Sequence, residues 1–230
     1  MRRILLFGAV ALLAVAALGR FVLLPALGRG VTRAIESRGS ALTQTAVRVD
    51  GTTFDLAHRS GILSNLRVGN PAGFRSEHAL SIERVVVTVD PATLRSDPIV
   101  VKELLIEAPT LLYEFGAGGN NIAAIRRSID AKVAAQKNKA GGGGGGRARL
   151  VVESLRVTHG KVRISSHLLG GQELTGRLSD LQLQGLGTTV GTSPAQIVQE
   201  LLVALTKGVR ANLKQLDLRG GGGRSAPSVQ

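Results

Sequence analysis

The N-terminus carries the feature that most constrains this chain, a long apolar segment behind Arg2 and Arg3. Residues 4–19 contain no polar side chain, and apolar residues resume after Arg20 to complete a 21-residue stretch, 4–24. That length is enough to cross a bilayer core of about 30 Å at about 1.5 Å per residue. Arg20 would lie near the far interface, where its long side chain reaches water. The segment predicts a membrane helix, since a buried core helix is rarely apolar on every face at the start of a chain.

This segment also bears on processing and topology. Small residues within 14–19 could satisfy a signal peptidase, but residues 21–24 continue the apolar stretch beyond that point. We therefore expect a retained signal anchor. Arg2 and Arg3 favour a cytoplasmic N-terminus, and the arginines after the segment oppose it. Because long domains translocate largely regardless of charge, we expect the N-terminus inside and the following domain outside the cytoplasm.

Composition excludes several kinds of chemistry. The chain has no Cys, which rules out disulfides, thiol nucleophiles and Cys-ligated metals. Aromatic residues make up 3% with no Trp, so stacking platforms for bases are nearly excluded. The net charge of +13 suits anionic lipid, nucleic acid or an acidic partner. The membrane segment and the scarcity of aromatic residues disfavour nucleic acid among these.

Period-two patterns predict a β-rich domain after residue 45. The clearest strand alternates valines over residues 85–89, with polar or smaller residues between them. Residues 99–106 predict another strand, which we expect to stop at Ala108 and Pro109. The alternation over 111–115 then predicts a further strand.

The second half of the chain shows a linker and more strands. Residues 141–146 are six glycines, which cannot pack a core and indicate a flexible linker. The strands on either side of His159 and Gly160 are predicted to form a tight hairpin. The apolar phase slips by one residue between Leu178 and Leu181, which predicts a bulge or bend between them.

Two helices are predicted after the first strands. Asn121 is a candidate cap for a helix that reaches about residue 136. Ser193, Pro194 and Gln196 form a helix start with the spacing of a capping box. The helix that follows has one apolar stripe, which we expect to cover a sheet. Its members are Ile197, Leu201, Leu205, Val209, Leu213 and Leu216.

The sequence offers no catalytic, metal-binding or cofactor-binding residue. The four His residues lack the spacing of metal ligands, and no phosphate-binding loop, dinucleotide fingerprint or nucleophile elbow is present. Arg29, Arg33 and Arg38 follow the apolar segment and are candidates for contact with anionic lipid headgroups. An ordinary solvated helix face would explain the same three arginines.

Several phrases of the sequence, in their order, resemble the bacterial AsmA-like family. A strand enters a turn of the type GNPxGF, formed here by Gly69, Asn70, Pro71, Gly73 and Phe74. The later phrases are Val89-Asp90-Pro91, Asp97-Pro98-Ile99-Val100-Val101, Ile106-Glu107-Ala108-Pro109, Tyr113-Glu114, Asn120-Asn121-Ile122, and residues 181–187 before the capped helix. The resemblance covers most of the chain outside the glycine run.

The resemblance implies a signal-anchored inner-membrane protein with a β-rich domain in the periplasm. AsmA-like proteins are associated with outer-membrane assembly and envelope homeostasis, and their larger relatives look like groove-shaped lipid carriers. This chain is much shorter than those relatives. The family supplies no catalytic residues, and the turn around Asn70 is best interpreted as structural.

We therefore expect an α+β fold, in which an N-terminal transmembrane helix precedes an antiparallel, strongly twisted β-sheet covered by two helices. The expected regions are a signal anchor over 1–27, an AsmA-like β-rich region with a helix over 28–136, a Gly-rich linker loop over 137–147, a continuation of the sheet with a C-terminal amphipathic helix over 148–218, and a disordered tail over 219–230.

The expected function is non-enzymatic, with membrane lipid as the partner. Acyl chains would be sheltered on an apolar sheet face, in envelope or outer-membrane assembly or in lipid transport. The alternative is a structural or adaptor protein that binds an envelope protein and no lipid. A hydrolase is a third possibility that a buried acid or a Ser–His pair would favour. The apolar strand faces fit either a packed core or an open groove.

Overall fold

The structure of the chain is a computed structural model that describes residues 24–116, 119–140, 149–166, 173–187 and 191–220. Within these residues lie three helices: α1 (Leu24–Thr43), α2 (Asn121–Ala140) and α3 (Pro194–Gly220). The strands are β1 (Val47–Asp55), β2 (Ser60–Gly69), β3 (His78–Val89), β4 (Ile99–Gly116), β5 (Gly119–Asn120), β6 (Leu150–Thr158), β7 (Lys161–Ser166), β8 (Glu173–Arg177) and β9 (Leu181–Leu186). The expected α+β class is confirmed.

The strands form one mixed sheet. Its order is β1-β2-β3-β4-β6-β9, with β5 and β7 also on β4 and with β8 on β7. The expectation of an antiparallel sheet is wrong at the centre, because β4 pairs in parallel with both β6 and β7. The reason is that α2 carries the chain back along the sheet between β4 and β6, as a crossover connection does.

β4 is one strand of 18 residues, so the expected stop at Ala108 and Pro109 is wrong. The strand passes through both residues by bending. Ala108 has a φ of +49°, and Pro109 is fully buried opposite Ile82 of β3. Proline is tolerated inside a sheet at such an irregularity because the ladder hydrogen bond is already interrupted there.

His159 and Gly160 do not form the expected hairpin either. β6 and β7 both run parallel to β4, so the chain continues in one direction through these two residues. His159 has a φ of +57°, and its N–H donates to Asp180 Oδ1 at 3.1 Å. A Cβ at Gly160 would lie 2.8 Å from the Cβ of Leu178, so the neighbouring strand segment crosses too closely for a side chain.

These two breaks belong to a line of irregularities that crosses the whole sheet. The paired registers skip Asp50 in β1, Asn65 in β2 and Glu83 in β3. Asn65 has a left-handed backbone with a φ of +50°, as Ala108 and His159 do. A bulge or bend was expected between Leu178 and Leu181, and the structure has a break there, since β8 ends at Arg177 and β9 begins at Leu181.

Each break shifts the alternation of side chains by one residue. Apolar residues on both sides of the line therefore point to the same face of the sheet. The residues that flank the line are Leu63 and Leu66 in β2, Ile82 and Val85 in β3, Ile106 and Pro109 in β4, Val157 and Val162 across β6 and β7, and Leu178 and Leu181 across β8 and β9.

The helices bury this face. α2 and α3 each contribute four large apolar side chains to the core, namely Ile122, Ile125, Ile129 and Val133, and Ile197, Leu202, Leu205 and Val209. Two covering helices were expected, and the structure adds α1, which packs against β1. At that contact, a Cβ on Gly39 would lie 3.1 Å from the side chain of Val47.

The cap predicted for α3 is correct, and the cap predicted for α2 is misplaced by one residue. The capping box before α3 is confirmed, since the N–H of Ser193 donates to Gln196 Oε1 at 3.0 Å and the N–H of Gln196 donates to Ser193 Oγ at 3.3 Å. The cap of α2 is Asn120 rather than Asn121. Its Oδ1 accepts from the N–H of Ala123 at 2.8 Å.

No helix within the described residues is long and apolar enough to cross a membrane. Most of the expected anchor, residues 1–23, lies outside the described part of the chain. The same holds for the glycine run and for residues 221–230 of the expected tail.

The bend at Ala108 yields a stability prediction. Replacing Ala108 with glycine should raise the free energy of unfolding by about 0.5–1 kcal/mol, because a Cβ in the left-handed region costs about 1–2 kcal/mol and glycine avoids it at a smaller entropic cost. Urea unfolding of the full chain in mild detergent measures the change.

Ala79 of β3 provides the control. It is fully buried and is not among the described residues with positive φ. Ala79→Gly should lower the free energy of unfolding by about 0.5–1 kcal/mol. If Ala108→Gly destabilised the chain as much as Ala79→Gly, the bend would not strain Ala108.

Candidate functional site

α1 covers the outer edge of β1 and runs antiparallel to it. Three polar side chains of α1 hold it there. They are Ser40, which accepts from the N–H of Val47 at 2.9 Å; Glu36, which accepts from the N–H of Val49 at 3.0 Å; and Thr32, which shares a hydroxyl hydrogen bond of 2.8 Å with Thr52. The bonds to Ser40 and Glu36 satisfy two backbone N–H groups of this edge that would otherwise be open to another strand.

A cleft of about 570 Å³ lies between α1 and β1, and Arg29 and Arg33 both line it. Its two carboxylates are already engaged. Glu36 accepts the bond from β1, and Asp50 is paired with Arg67. Neither Arg29 nor Arg33 forms an ion pair with any residue that the structure describes. The cleft therefore presents two guanidinium groups, one helical turn apart, that are open to an anionic ligand.

Arg38 does not join them. It lies nine residues after Arg29, which is half a turn around the helix, and it is exposed and absent from the lining of the cleft. The structure thus brings together two of the three arginines proposed for headgroup contact and leaves the third on another side of α1.

A larger cleft, of about 710 Å³, lies at the opposite edge of the sheet between β9 and α3. Most of its lining is apolar. The apolar members are Leu178, Leu181, Leu183 and Leu186 from the sheet, and Val203, Ala204 and Leu205 from α3. The three leucines of β9 are only half-buried, so the core does not close over this edge.

A third cleft, of about 510 Å³, lies where the ends of β4, β7 and β8 meet α2 and α3. Phe115 and Leu174 line it and are 44% and 56% exposed. Arg126 is the charged residue of its lining and is 3.6 Å from Asp130, one turn along α2.

The residues expected to form a structural turn connect β2 and β3, and they are Gly69, Asn70, Pro71, Gly73 and Phe74. Gly73 has a φ of +93°, a conformation that favours glycine. Phe74 packs on β4, since a Cβ at Gly116 would be 3.4 Å from its ring.

A buried carboxylate fixes this turn. Glu114 of β4 is 7% exposed. Its two oxygens accept from the N–H groups of Arg75 at 2.7 Å and Ser76 at 2.9 Å. Asn70 Nδ2 donates to Glu114 at 3.1 Å and to the carbonyl of Ser76 at 2.8 Å. Charge-assisted bonds of this kind offset the cost of burying the carboxylate.

Asn121 connects the turn to β4. It is fully buried, and its Nδ2 donates to Asn70 Oδ1 at 2.7 Å and to the carbonyl of Leu112 at 2.8 Å. Its Oδ1 accepts from the N–H of Glu114 at 3.0 Å. Sequence reasoning missed this network, because Glu114 occupies a polar position in an alternating strand and gives no separate signal of burial.

Comparison with protein-family models gives no match to this chain, and comparison with curated proteins gives none either. The resemblance to AsmA-like proteins rests on the sequence phrases alone and stays a prediction.

The turn network yields a second stability prediction. Glu114→Ala should lower the free energy of unfolding by about 2–4 kcal/mol, because it leaves the N–H groups of Arg75 and Ser76 and the amide of Asn70 without their acceptor. Denaturant unfolding of the full chain in detergent measures it.

Glu107, on the same strand, is the matched control. It is 3.5 Å from Arg84 at the surface, where an ion pair contributes less than about 1 kcal/mol. Equal losses for Glu107→Ala and Glu114→Ala would contradict the structural role of the buried carboxylate.

Proposed function

We propose that this chain is a non-enzymatic, AsmA-like protein of the cell envelope, anchored in the inner membrane with its N-terminus in the cytoplasm and its sheet in the periplasm. In this proposal it serves envelope or outer-membrane assembly, or lipid transport, by holding acyl chains and without a cofactor. Residues 1–27 supply the anchor, as their apolar sequence predicts.

The single observation that carries the proposal is the cleft between β9 and α3. Its volume of about 710 Å³ falls within the range of about 300–1,000 Å³ typical of small-molecule sites. Leucines line it and leave apolar surface exposed along the edge strand. An acyl chain laid against them would remove that surface from water, which is favourable in proportion to the area covered.

Arg29 and Arg33 have a separate task in this proposal. Their cleft is on β1 and the leucine-lined cleft is on β9, at the two ends of the strand order. Five strand spacings of about 4.8 Å separate these edges, and the packed core lies between them, so one lipid does not use both clefts. The two arginines instead attract the anionic membrane surface next to the anchor.

The alternative function, an adaptor that binds a protein partner, has one observation in its favour. β9 ends the strand order, and within the described residues it pairs only with β6. Such an edge accepts an added strand. We favour lipid because an apolar cleft lined by leucines lies beside β9.

A hydrolase is the third possible function, and a buried acidic side chain would favour it. Glu114 is buried, but its oxygens accept backbone and amide hydrogens of the turn. A general acid or base must exchange a proton with substrate, and we therefore assign Glu114 to the turn.

Filling the cleft tests the lipid function. In Ala204→Trp, the indole should occupy the space between α3 and β9 and reduce cross-linking of a photoreactive fatty acid to the full chain by about fivefold or more. The fatty acid is incorporated into membranes of cells that produce the chain, and labelled protein is counted after purification.

Ala34→Trp is the matched control, because Ala34 is an exposed alanine of α1 outside all three clefts. Its cross-linking should stay unchanged. Equal yields from the two variants would show that the cleft does not hold the acyl chain. Capture of one protein partner in place of lipid would support the adaptor.

A further inference from the structure

Two connections of the sheet lie side by side at the end where α1 begins. They are residues 56–59, between β1 and β2, and residues 90–98, between β3 and β4. The N–H of Val89 donates to the carbonyl of Arg59 at 3.1 Å and joins them. We call this the α1 end of the sheet, because the antiparallel packing of α1 on β1 brings the first turn of α1 toward it. The turn around Asn70 is at the opposite end.

The α1 end exposes large apolar side chains. Leu56 is 65% exposed in the first connection and Leu94 is 53% exposed in the second. Leu27, on the first turn of α1, is 55% exposed. Exposure of a leucine side chain to water contributes nothing to folding stability. Several exposed leucines at one end of the molecule therefore indicate a surface that contacts another apolar phase.

Cations accompany these leucines. Arg59 and Arg95 lie in the same two connections and are exposed, and neither forms an ion pair with a described residue. Arg29 and Arg33 add two more cations along α1.

The carboxylates at this end are engaged. Asp55 bonds His58 at 2.7 Å and Asp97 bonds Arg149 at 3.2 Å, and these hydrogen bonds lower the pKa of both carboxyls. Asp90 accepts from the N–H of Ala92 at 3.1 Å. Asp90 also lies 3.9 Å from Lys102. The arginines of the two connections that have no ion-pair partner among the described residues are therefore Arg59 and Arg95.

The sequence before α1 indicates which apolar phase this surface contacts. The residues that precede α1 are the apolar segment of the sequence, and α1 starts at Leu24, where that segment ends. In the proposed anchorage, the bilayer that holds this segment lies next to the first turn of α1 and to the two connections.

We propose that the α1 end of the sheet docks on the anionic surface of the bilayer that holds the N-terminal segment. Leu56 and Leu94 enter the interface between headgroups and acyl chains, and Arg59 and Arg95 contact lipid phosphates. The strands then stand away from the membrane, with the turn around Asn70 at their distant end. This inference rests on the membrane anchorage in the proposed function, and not on the acyl-chain cleft.

The absence of Cys from the chain makes a direct test simple. The full chain, carrying one cysteine at a time, is labelled with the environment-sensitive dye NBD and reconstituted into nanodiscs of phosphatidylcholine and phosphatidylglycerol, with or without brominated acyl chains. Labels at Leu56→Cys and Leu94→Cys should be quenched by brominated lipid about threefold more strongly than a label at Ala72→Cys, an exposed position in the distant turn. Equal, weak quenching at all three positions would overturn the docking.

A label at Ala9→Cys, inside the apolar segment, separates the two proposals. Quenching at Ala9 without quenching at Leu56 and Leu94 leaves the anchor in place and refutes the docking. No quenching at Ala9 refutes the anchorage, and the docking with it.

A second experiment changes the charge of the protein or of the membrane. Arg59→Glu combined with Arg95→Glu should lower quenching at Leu94→Cys about threefold, as should nanodiscs of phosphatidylcholine alone. Arg48→Glu, at an exposed position of β1 on the distant side of the line of irregularities, should leave the quenching unchanged. If neither the double substitution nor the neutral nanodiscs lowered the quenching, the contact between arginine and phosphate would be refuted.

Discussion

The line of irregularities across the sheet is the constraint on which the rest of the structure depends. A strand alternates its side chains with a period of two, and one residue outside that alternation exchanges the faces of the residues that follow it. Were β4 alone to break its alternation at Ala108, its apolar residues would move out of step with those of β3. Because every neighbouring strand carries a break at the same height, the faces stay matched, and an 18-residue strand can present one continuous apolar surface to the helices.

The clefts follow from how that surface is covered. α2 and α3 lie over a sheet whose strands twist relative to one another by about 20–25° each, and α1 lies along the outer edge of β1. Straight helices follow such a surface well at its centre and diverge from it at its edges. At the centre, residues of β4 and β6 such as Ile106 and Leu155 are buried. At the edges, α1 and α3 leave space against β1 and β9, and that is where the two largest described clefts lie.

Local patterns predicted the features that depend on neighbours in sequence. The alternating valines of β3, the capping box at Ser193 and the break after Leu178 are of this kind. The continuity of β4 through Pro109 and of β6 into β7 was missed, because proline and the His-Gly pair resemble stops unless the adjacent strand is known to bend with them. The same distinction applies to the candidate sites. The proximity of Arg29 and Arg33 follows from helical spacing and could be predicted. The cleft beside β9 depends on the position of α3 over the sheet, which no local pattern predicts.

If both proposals are combined, the apolar cleft lies in the half of the sheet that is nearest the membrane. β6 begins beside the start of β4, and Leu150 at its first residue bonds Thr192, just before α3. The first residues of α3 and the leucines of β9 therefore lie in the half of the sheet nearest the α1 end. β4 would span about 60 Å if it were straight, so a site at its distant end would require a lipid to travel far through water. A cleft that opens in the half nearest the docked end shortens this path. An acyl chain that leaves the bilayer exposes apolar area for as long as it is unsheltered, and that exposed area sets the free-energy barrier to leaving.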